Sequence, residues 1–244
     1  MAGFCTVQDV LEYIPGLELN SASDVTTTSI QSLINRRYTE LLNIANYRAY
    51  TLPSIPISPT TNREHLLFQL NIQFPVADLL LRRATDYNPF LFGQLKLQSS
   101  IAKKNFRLFE QGYYDFAFSG VLPVTAMCTK EDVAVYLPGF LLSATPDVGY
   151  GPSQTVLEQW INSETAIIYA YATYLSYNTN LGTCTSDQLN VYKDMVIKKV
   201  ASDLVRARAQ VSNASLDQHA NNLLQEYYEL VTSFLNRDSD HIFL

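Results

Sequence analysis

The chain is 244 residues long, 47% hydrophobic and 16% charged, with 16 Tyr and 12 Phe. A net charge of −6 argues against a protein that holds nucleic acid by neutralising phosphates. No run of about 18 uninterrupted apolar residues offers a membrane span, and three cysteines with no signal-peptide pattern read as reduced thiols in a cytosolic compartment. The charged fraction is low beside the roughly one quarter usual in soluble domains. Either other subunits cover part of the surface or the aromatics form an unusually ring-rich core.

The first predicted element is a short helix. Thr6 and Asp9 stand at capping-box spacing, so that the Thr oxygen and the Asp carboxylate satisfy free N–H groups. Val10, Tyr13 and Ile14 follow as one apolar face, and Pro15 with Gly16 stops the helix. A second helix is expected from near Ser29, with Ile30, Leu33, Ile34, Leu41, Leu42 and Ala45 at helical spacing. Residues 50–60 contain Pro53, Pro56 and Pro59 and read as an extended connector. The third helix opens on Thr61 and Glu64 and runs to about Ala84, with a kink expected at Pro75. A fourth covers about residues 95–111.

The chain then repeats itself. Residues 128–139 restate residues 5–16, with Cys, Thr, Asp, Val, Tyr, Pro and Gly recurring in register 123 positions on. Ile30, Leu33, Ile34 and Asn35 fall on Leu157, Trp160, Ile161 and Asn162 at an offset of 127, and Ala45, Tyr47 and Tyr50 on Ala172, Tyr174 and Tyr177. The stretch ending at Ala84 parallels residues 203–209 at an offset of 125. Drifting offsets place insertions in loops, where they are tolerated. The second set of helices is expected at Thr129 with Asp132, from near Thr155, from Thr185 with Gln188 to about Ala209, and over residues 216–235. Val200 stands opposite Pro75, so no second kink is expected. Leu33 and Trp160 are expected at equivalent core positions.

These elements predict a mostly all-α fold of two tandem, diverged helical bundles of about four helices each. Residues 1–112 form the first, 113–123 an aromatic linker, 124–235 the second and 236–244 a C-terminal tail.

Chemistry-bearing patterns are sparse. His65, His219 and His241 lie far apart, and none has a Cys, Asp or Glu at metal-binding helical spacing. Cys5 and Cys128 occupy matching structural slots, and Cys184 reads as a buried thiol. No phosphate-cradling loop, dinucleotide fingerprint or nucleophile elbow occurs. Asp78 with Arg82 and Arg83, and Asp203 with Arg206 and Arg208, read as intrahelical ion pairs on a wet face. Lys193, Lys198 and Lys199 extend that solvated face. No catalytic, cofactor-binding or metal site is expected.

The pattern Thr6, Asp9, Val10, Ile14, Pro15, Gly16, restated as Thr129, Asp132, Val133, Leu137, Pro138, Gly139 and followed each time by a long apolar helix, resembles the opening of the head-to-tail adaptor (connector) proteins of tailed bacteriophages. Members of that family are typically single helical units of about half this length, and the tandem arrangement is a departure. The resemblance implies a non-enzymatic virion protein of the neck, made in the host cytoplasm. It implies a homo-oligomeric ring, usually of twelve copies, that docks beneath the portal protein and extends the channel towards a tail-side neck or tail protein. Genomic DNA would pass through without sequence-specific binding, eased by an acidic lining that repels phosphates. A monomeric helical interaction module and an uncharacterised helical enzyme are the alternatives.

In that family the C-terminal segment typically inserts into the portal. The resemblance therefore implies a portal-binding role for Arg237, Asp238, Asp240, His241, Ile242, Phe243 and Leu244. The competing expectation is that the last three residues fold back onto their own bundle, since each large apolar side chain left exposed forfeits about 1.5–3 kcal/mol.

Overall fold

The computed structural model describes residues 3–14, 19, 25–55, 57–87, 89–112, 114–115, 118, 125–137, 152–208 and 214–243. Among these residues the secondary structure is helical, with no strands. The helices are α1 (Val7–Glu12), α2 (Thr27–Tyr47), α3 (Asn62–Tyr87), α4 (Pro89–Gln111), α5 (Lys130–Ala134), α6 (Gln154–Tyr174), α7 (Ser186–Arg208), α8 (Ala214–Leu235) and α9 (Asp240–Phe243). Pro15, Gly16, Pro138 and Gly139 lie outside the described residues, as does most of the linker apart from Tyr114, Asp115 and Phe118.

Local sequence accounts for where these helices start. Thr6 with Asp9 and Thr129 with Asp132 form reciprocal capping boxes at α1 and α5. The Thr61 N–H donates to Glu64 at 3.1 Å and the Glu64 N–H returns to Thr61 Oγ1 at 3.3 Å. At α7 the Thr185 N–H donates to Gln188 at 3.0 Å and the Gln188 N–H to Thr185 Oγ1 at 3.3 Å. Helix α2 starts two residues before Ser29, because Thr26 is the cap and Ser29 is its reciprocal partner. Helix α6 starts at Gln154, next to Thr155, and is capped by Ser153. Helix α3 passes through Pro75 as one element and reaches Tyr87.

Helices α2 and α6 are both 21 residues long, and both their ends lie 127 positions apart. They also terminate alike. Ala49 and Ser176 take left-handed backbone angles, φ 56° and 63°. Beyond them the Tyr50 N–H donates to Ala45 O and the Tyr177 N–H to Ala172 O, each at 2.9 Å. This is the Schellman arrangement, with a residue other than the usual glycine at its strained position.

The same helix pairs pack in each half. Helix α1 rests on α2 and α3, α2 on α3, and α3 on α4; α5 rests on α6 and α7, α6 on α7, and α7 on α8. The halves meet where α6 lies on α3 and α4 on α8, and a single hydrophobic cluster runs through both. Among the described residues helix α6 is therefore covered on two sides, whereas α2 is covered on one. Ser163, Ala166 and Ala170 of α6 are fully buried; the residues 127 positions earlier, Arg36, Thr39 and Asn43, are exposed. Likewise Trp160 is buried, but Leu33 is only partly so.

The chain approaches α2 and α3 closely at Gly3. A Cβ on Gly3 would meet Asn71 Oδ1 and Ile34 Cγ2, each at 2.6 Å. Asn71 accepts from the Phe4 N–H at 2.7 Å and donates to Ile34 O at 3.0 Å, tying the N-terminal strand of chain to α2 and α3. In the second half the matching N–H, that of Met127, donates to Thr165 Oγ1 at 3.3 Å.

Both left-handed residues carry a steric cost of about 1–2 kcal/mol that glycine avoids, offset in part by the extra freedom glycine has when unfolded. Ala49→Gly and Ser176→Gly should each raise the unfolding free energy in urea by up to about 1 kcal/mol. A loss of stability at either position would contradict the shared termination geometry.

Candidate interaction sites: the C-terminal segment and a buried polar seam

Helix α8 ends at Leu235, and the chain reverses at Arg237, where φ is 65°. The Asp240 N–H donates to Arg237 O at 3.1 Å, which starts the short helix α9. This turn aims Phe243 inward, leaving it only 8% exposed. Its ring stacks on Tyr177 with centroids 4.4 Å apart, and lies 5.2 Å from Tyr192 and 5.4 Å from Phe234. The Tyr177 hydroxyl donates to the Asp240 carboxylate, and Gln188 Nε2 donates to Ile242 O at 3.0 Å. Burial, with the Asp240 carboxylate alongside, pushes the Tyr177 hydroxyl up to about 12.

Of the residues expected at a portal-binding segment, Phe243 is thus part of the core and Ile242 is partly buried. Asp240 serves Tyr177, while Arg237, Asp238 and His241 face solvent. Arg237 sits 3.9 Å from Asp240, an exposed and weak pair. Leu244 lies outside the described residues.

The same construction occurs 125 positions earlier. Gly112 reverses the chain with φ 91°, and the Asp115 N–H donates to Gly112 O at 3.0 Å. The Tyr50 hydroxyl donates to Asp115. Tyr50 stacks on Phe118 at 4.1 Å and lies 5.8 Å from Phe109. Each ring and each carboxylate has its counterpart: Tyr50 and Tyr177, Phe109 and Phe234, Asp115 and Asp240, Phe118 and Phe243. The tail and the start of the linker are therefore built as the same closing turn. The shared offset of 125, already visible between Ala84 and Ala209, was the signal that could have found it.

A second set of polar groups lies at the seam between the halves. Tyr171 of α6 donates to Asn105 Oδ1. Asn105 Nδ2 donates to Gln73 Oε1 at 3.0 Å, Gln73 Nε2 to Gln69 Oε1 at 3.3 Å, and Gln69 Nε2 to the Tyr13 hydroxyl at 3.2 Å. This chain of donors crosses from α6 through α4 and α3 to the end of α1, and all five residues are buried. Alongside it, the Tyr13 ring lies 4.4 Å from Trp160. His65 is buried with Nδ1 3.0 Å from Ser163 Oγ, and burial lowers its pKa to about 4, so the ring is neutral at physiological pH. His219 is partly buried against Tyr136 O at 3.0 Å, and His241 is exposed.

The acidic and basic residues of α7 depart from expectation. Asp203, Lys199 and Arg206 are not on a wet face: Lys199 pairs with Asp203 inside the bundle, where side-chain exposure is 7% and 6%. Arg206 donates to Gln98 at 2.6 Å and to Asn221 at 3.2 Å. The reason is that α7 is the central helix of its half and faces α6, α8 and α5. Glu164, 2% exposed, accepts from Tyr227 at 2.6 Å. Burial raises its pKa to about 7, against the opposing pull of Lys199. Lys193 and Lys198 do lie nearer solvent, paired with Asp132 at 2.8 Å and Glu226 at 2.5 Å. The side chains of Arg82, Arg83 and Arg208 are outside the described residues.

Cys5 and Cys128 are buried, and burial raises both thiols, Cys128 to about 12. Cys184 is partly exposed, with its thiol also raised by burial. Among the described residues no group of His, Cys, Asp and Glu is arranged to hold a metal ion, and no helix is long and apolar enough to cross a membrane. One cleft of about 240 Å³ opens between α2, α3 and α4, with Leu33, Arg36, Arg37, Asp78, Ser99 and Lys103 among its walls. Within it Arg37 lies 3.6 Å above the Phe74 ring and pairs with Glu40. No family model, curated protein or solved structure matches the chain.

Removing the Phe243 ring leaves a void among three aromatic rings, and Phe243→Ala should cost about 3 kcal/mol of unfolding free energy. Urea denaturation checks this. Unchanged stability would mean that the segment does not close the second bundle.

Proposed function

We propose that the chain is a tandem-duplicated, non-enzymatic structural subunit of a tailed-phage neck, an adaptor that joins portal to tail. The observation that carries the reading is the twin motif at Thr6 with Asp9 and Thr129 with Asp132, each a capped short helix set before a long apolar one. That is the pattern by which the sequence resembles the connector family. Matching helix lengths at α2 and α6 and matching closing turns at Asp115 and Asp240 support the duplication. The low charged fraction supports a subunit covered by neighbours. In this role copies form a ring through which DNA slides, and the acidic balance of the chain disfavours phosphate binding.

Portal docking by the C-terminal segment takes a narrower form than the whole segment would suggest. With Phe243 committed to the core, Arg237, Asp238 and His241 are, among the described residues of the segment that the resemblance singles out, the exposed ones that could contact a portal protein. They form a polar, solvent-facing turn, so recognition there would be by hydrogen bonds and charge rather than by an apolar anchor.

Imaging of assembled necks, or of the chain mixed with its portal, tests the reading. A ring of this chain between portal and tail is expected, and the triple substitution Arg237→Ala, Asp238→Ala, His241→Ala should weaken docking while leaving the fold intact. Absence of the chain from the neck, or turnover of a substrate by the pure protein, would overturn the proposal.

A further inference from the structure

We infer that a second copy of this chain seats its second half on the outward face of α2, repeating between chains the seam that joins the two halves within one. The inference rests on the assembly-subunit reading and specifies which faces meet.

Three contacts define the internal seam. The Tyr13 ring packs on Trp160 at 4.4 Å, His65 Nδ1 lies 3.0 Å from Ser163 Oγ, and the Tyr171 hydroxyl donates to Asn105. Each residue has a counterpart in the other half, fixed by the caps and turns that the halves share. Tyr13 corresponds to Tyr136, His65 to Leu189 and Asn105 to Leu230; Trp160, Ser163 and Tyr171 correspond to Leu33, Arg36 and Ile44. The seam carried forward by one half therefore pairs Tyr136 with Leu33, Leu189 with Arg36, and Leu230 with Ile44 of the next chain. All six are at least partly open to solvent in the single chain, and five are apolar or aromatic.

Two further features fit this partner. Val135, beside Tyr136, is 76% exposed, and Tyr47, at the end of the α2 face, is 88% exposed. The cleft of about 240 Å³ between α2, α3 and α4 opens beside Leu33 and Arg36, room for a side chain the size of Tyr136.

Charge favours a head-to-tail contact of this kind. Residues 1–112 carry ten Lys and Arg against nine Asp and Glu, whereas residues 124–244 carry seven against thirteen. A first half set against a second half thus brings opposite balances together, whereas like halves would not. The contact is heterologous, so it builds a ring or an open stack.

The contact between chains cannot be as close as the one within. The internal seam closes on Ser163, Ala166 and Ala170, where α2 presents Arg36, Thr39 and Asn43. A longer, wetter and salt-sensitive association follows.

Cysteine cross-linking of the full chain tests this, in a Cys184→Ser background with a short bifunctional maleimide and circular dichroism to confirm folding. Leu33→Cys mixed with Tyr136→Cys should cross-link to a dimer that neither forms alone, and the two substitutions in one chain should give a ladder beyond the dimer. Arg36→Glu should weaken self-association in sedimentation velocity by at least about tenfold. Cross-linking of either single variant with itself would overturn the proposal in favour of a two-fold contact. Association without the mixed cross-link would also overturn it, but would leave the adaptor reading standing on a different face. A chain that stays monomeric at its highest soluble concentration, with no cross-link, would mean that α2 is a polar cap ending the stack; the adaptor reading would then rest on neck imaging alone.

Discussion

Helix α6 has packed neighbours on both sides, and the rest of the structure depends on how closely they approach. Small side chains at Ser163, Ala166 and Ala170 let α3 lie against it, while Leu157, Ile161 and Ile168 are also buried. An interior of this kind is packed as densely as an organic crystal, so a larger residue at any of the three small positions would separate the halves. The polar chain from Tyr171 to Tyr13 crosses the same seam with each link made. A buried network that is fully connected adds register to packing, because a slipped arrangement would strand its donors in a dry interior.

Helices α2 and α6, alike in length and ending, stand in two environments and differ where those environments differ. Arg37 and Glu164 are 127 positions apart on α2 and α6. Arg37 has water within reach, and it spreads its guanidinium over Phe74 and pairs with Glu40. Glu164 has none, and it lies against the Tyr227 hydroxyl with its charged form disfavoured by burial. The neighbours have changed with them, since Phe74 on α3 stands where Lys199 stands on α7. What is retained is the termination of the helices, where backbone geometry leaves little choice: the left-handed residues at 49 and 176, and the reversals at 112 and 237.

The sequence made the helical class and most helix starts legible, because a capping box is a local pattern that needs no tertiary partner. Thr6 with Asp9, Thr61 with Glu64 and Thr185 with Gln188 all form as their spacing predicts. Where two hydroxyl residues stand at the start of a helix, as Thr26 and Ser29 do, spacing alone does not say which is the cap. Burial was much less legible. An i, i+4 pair such as Lys199 and Asp203 reads the same on a wet face as inside a bundle, and only the central place of α7 decides between them. Gln69, Gln73 and Asn105 likewise read as surface residues until their partners from other helices are known. The C-terminal segment was ambiguous for a different reason. Its apolar ending fits a docking anchor and a closing turn equally, and the deciding partners, Tyr177 and Tyr192, are over 50 residues away in sequence.

If α6 unites the two halves into a single body, the halves cannot unfold separately. Trp160 is the only tryptophan and lies at the seam against Tyr13, so its fluorescence reports the junction itself. The direct measurement is urea unfolding followed by that fluorescence and by far-ultraviolet circular dichroism on the same sample. Coincident, single transitions are predicted. A fluorescence change that precedes the loss of helix, leaving two folded halves apart, would contradict the account.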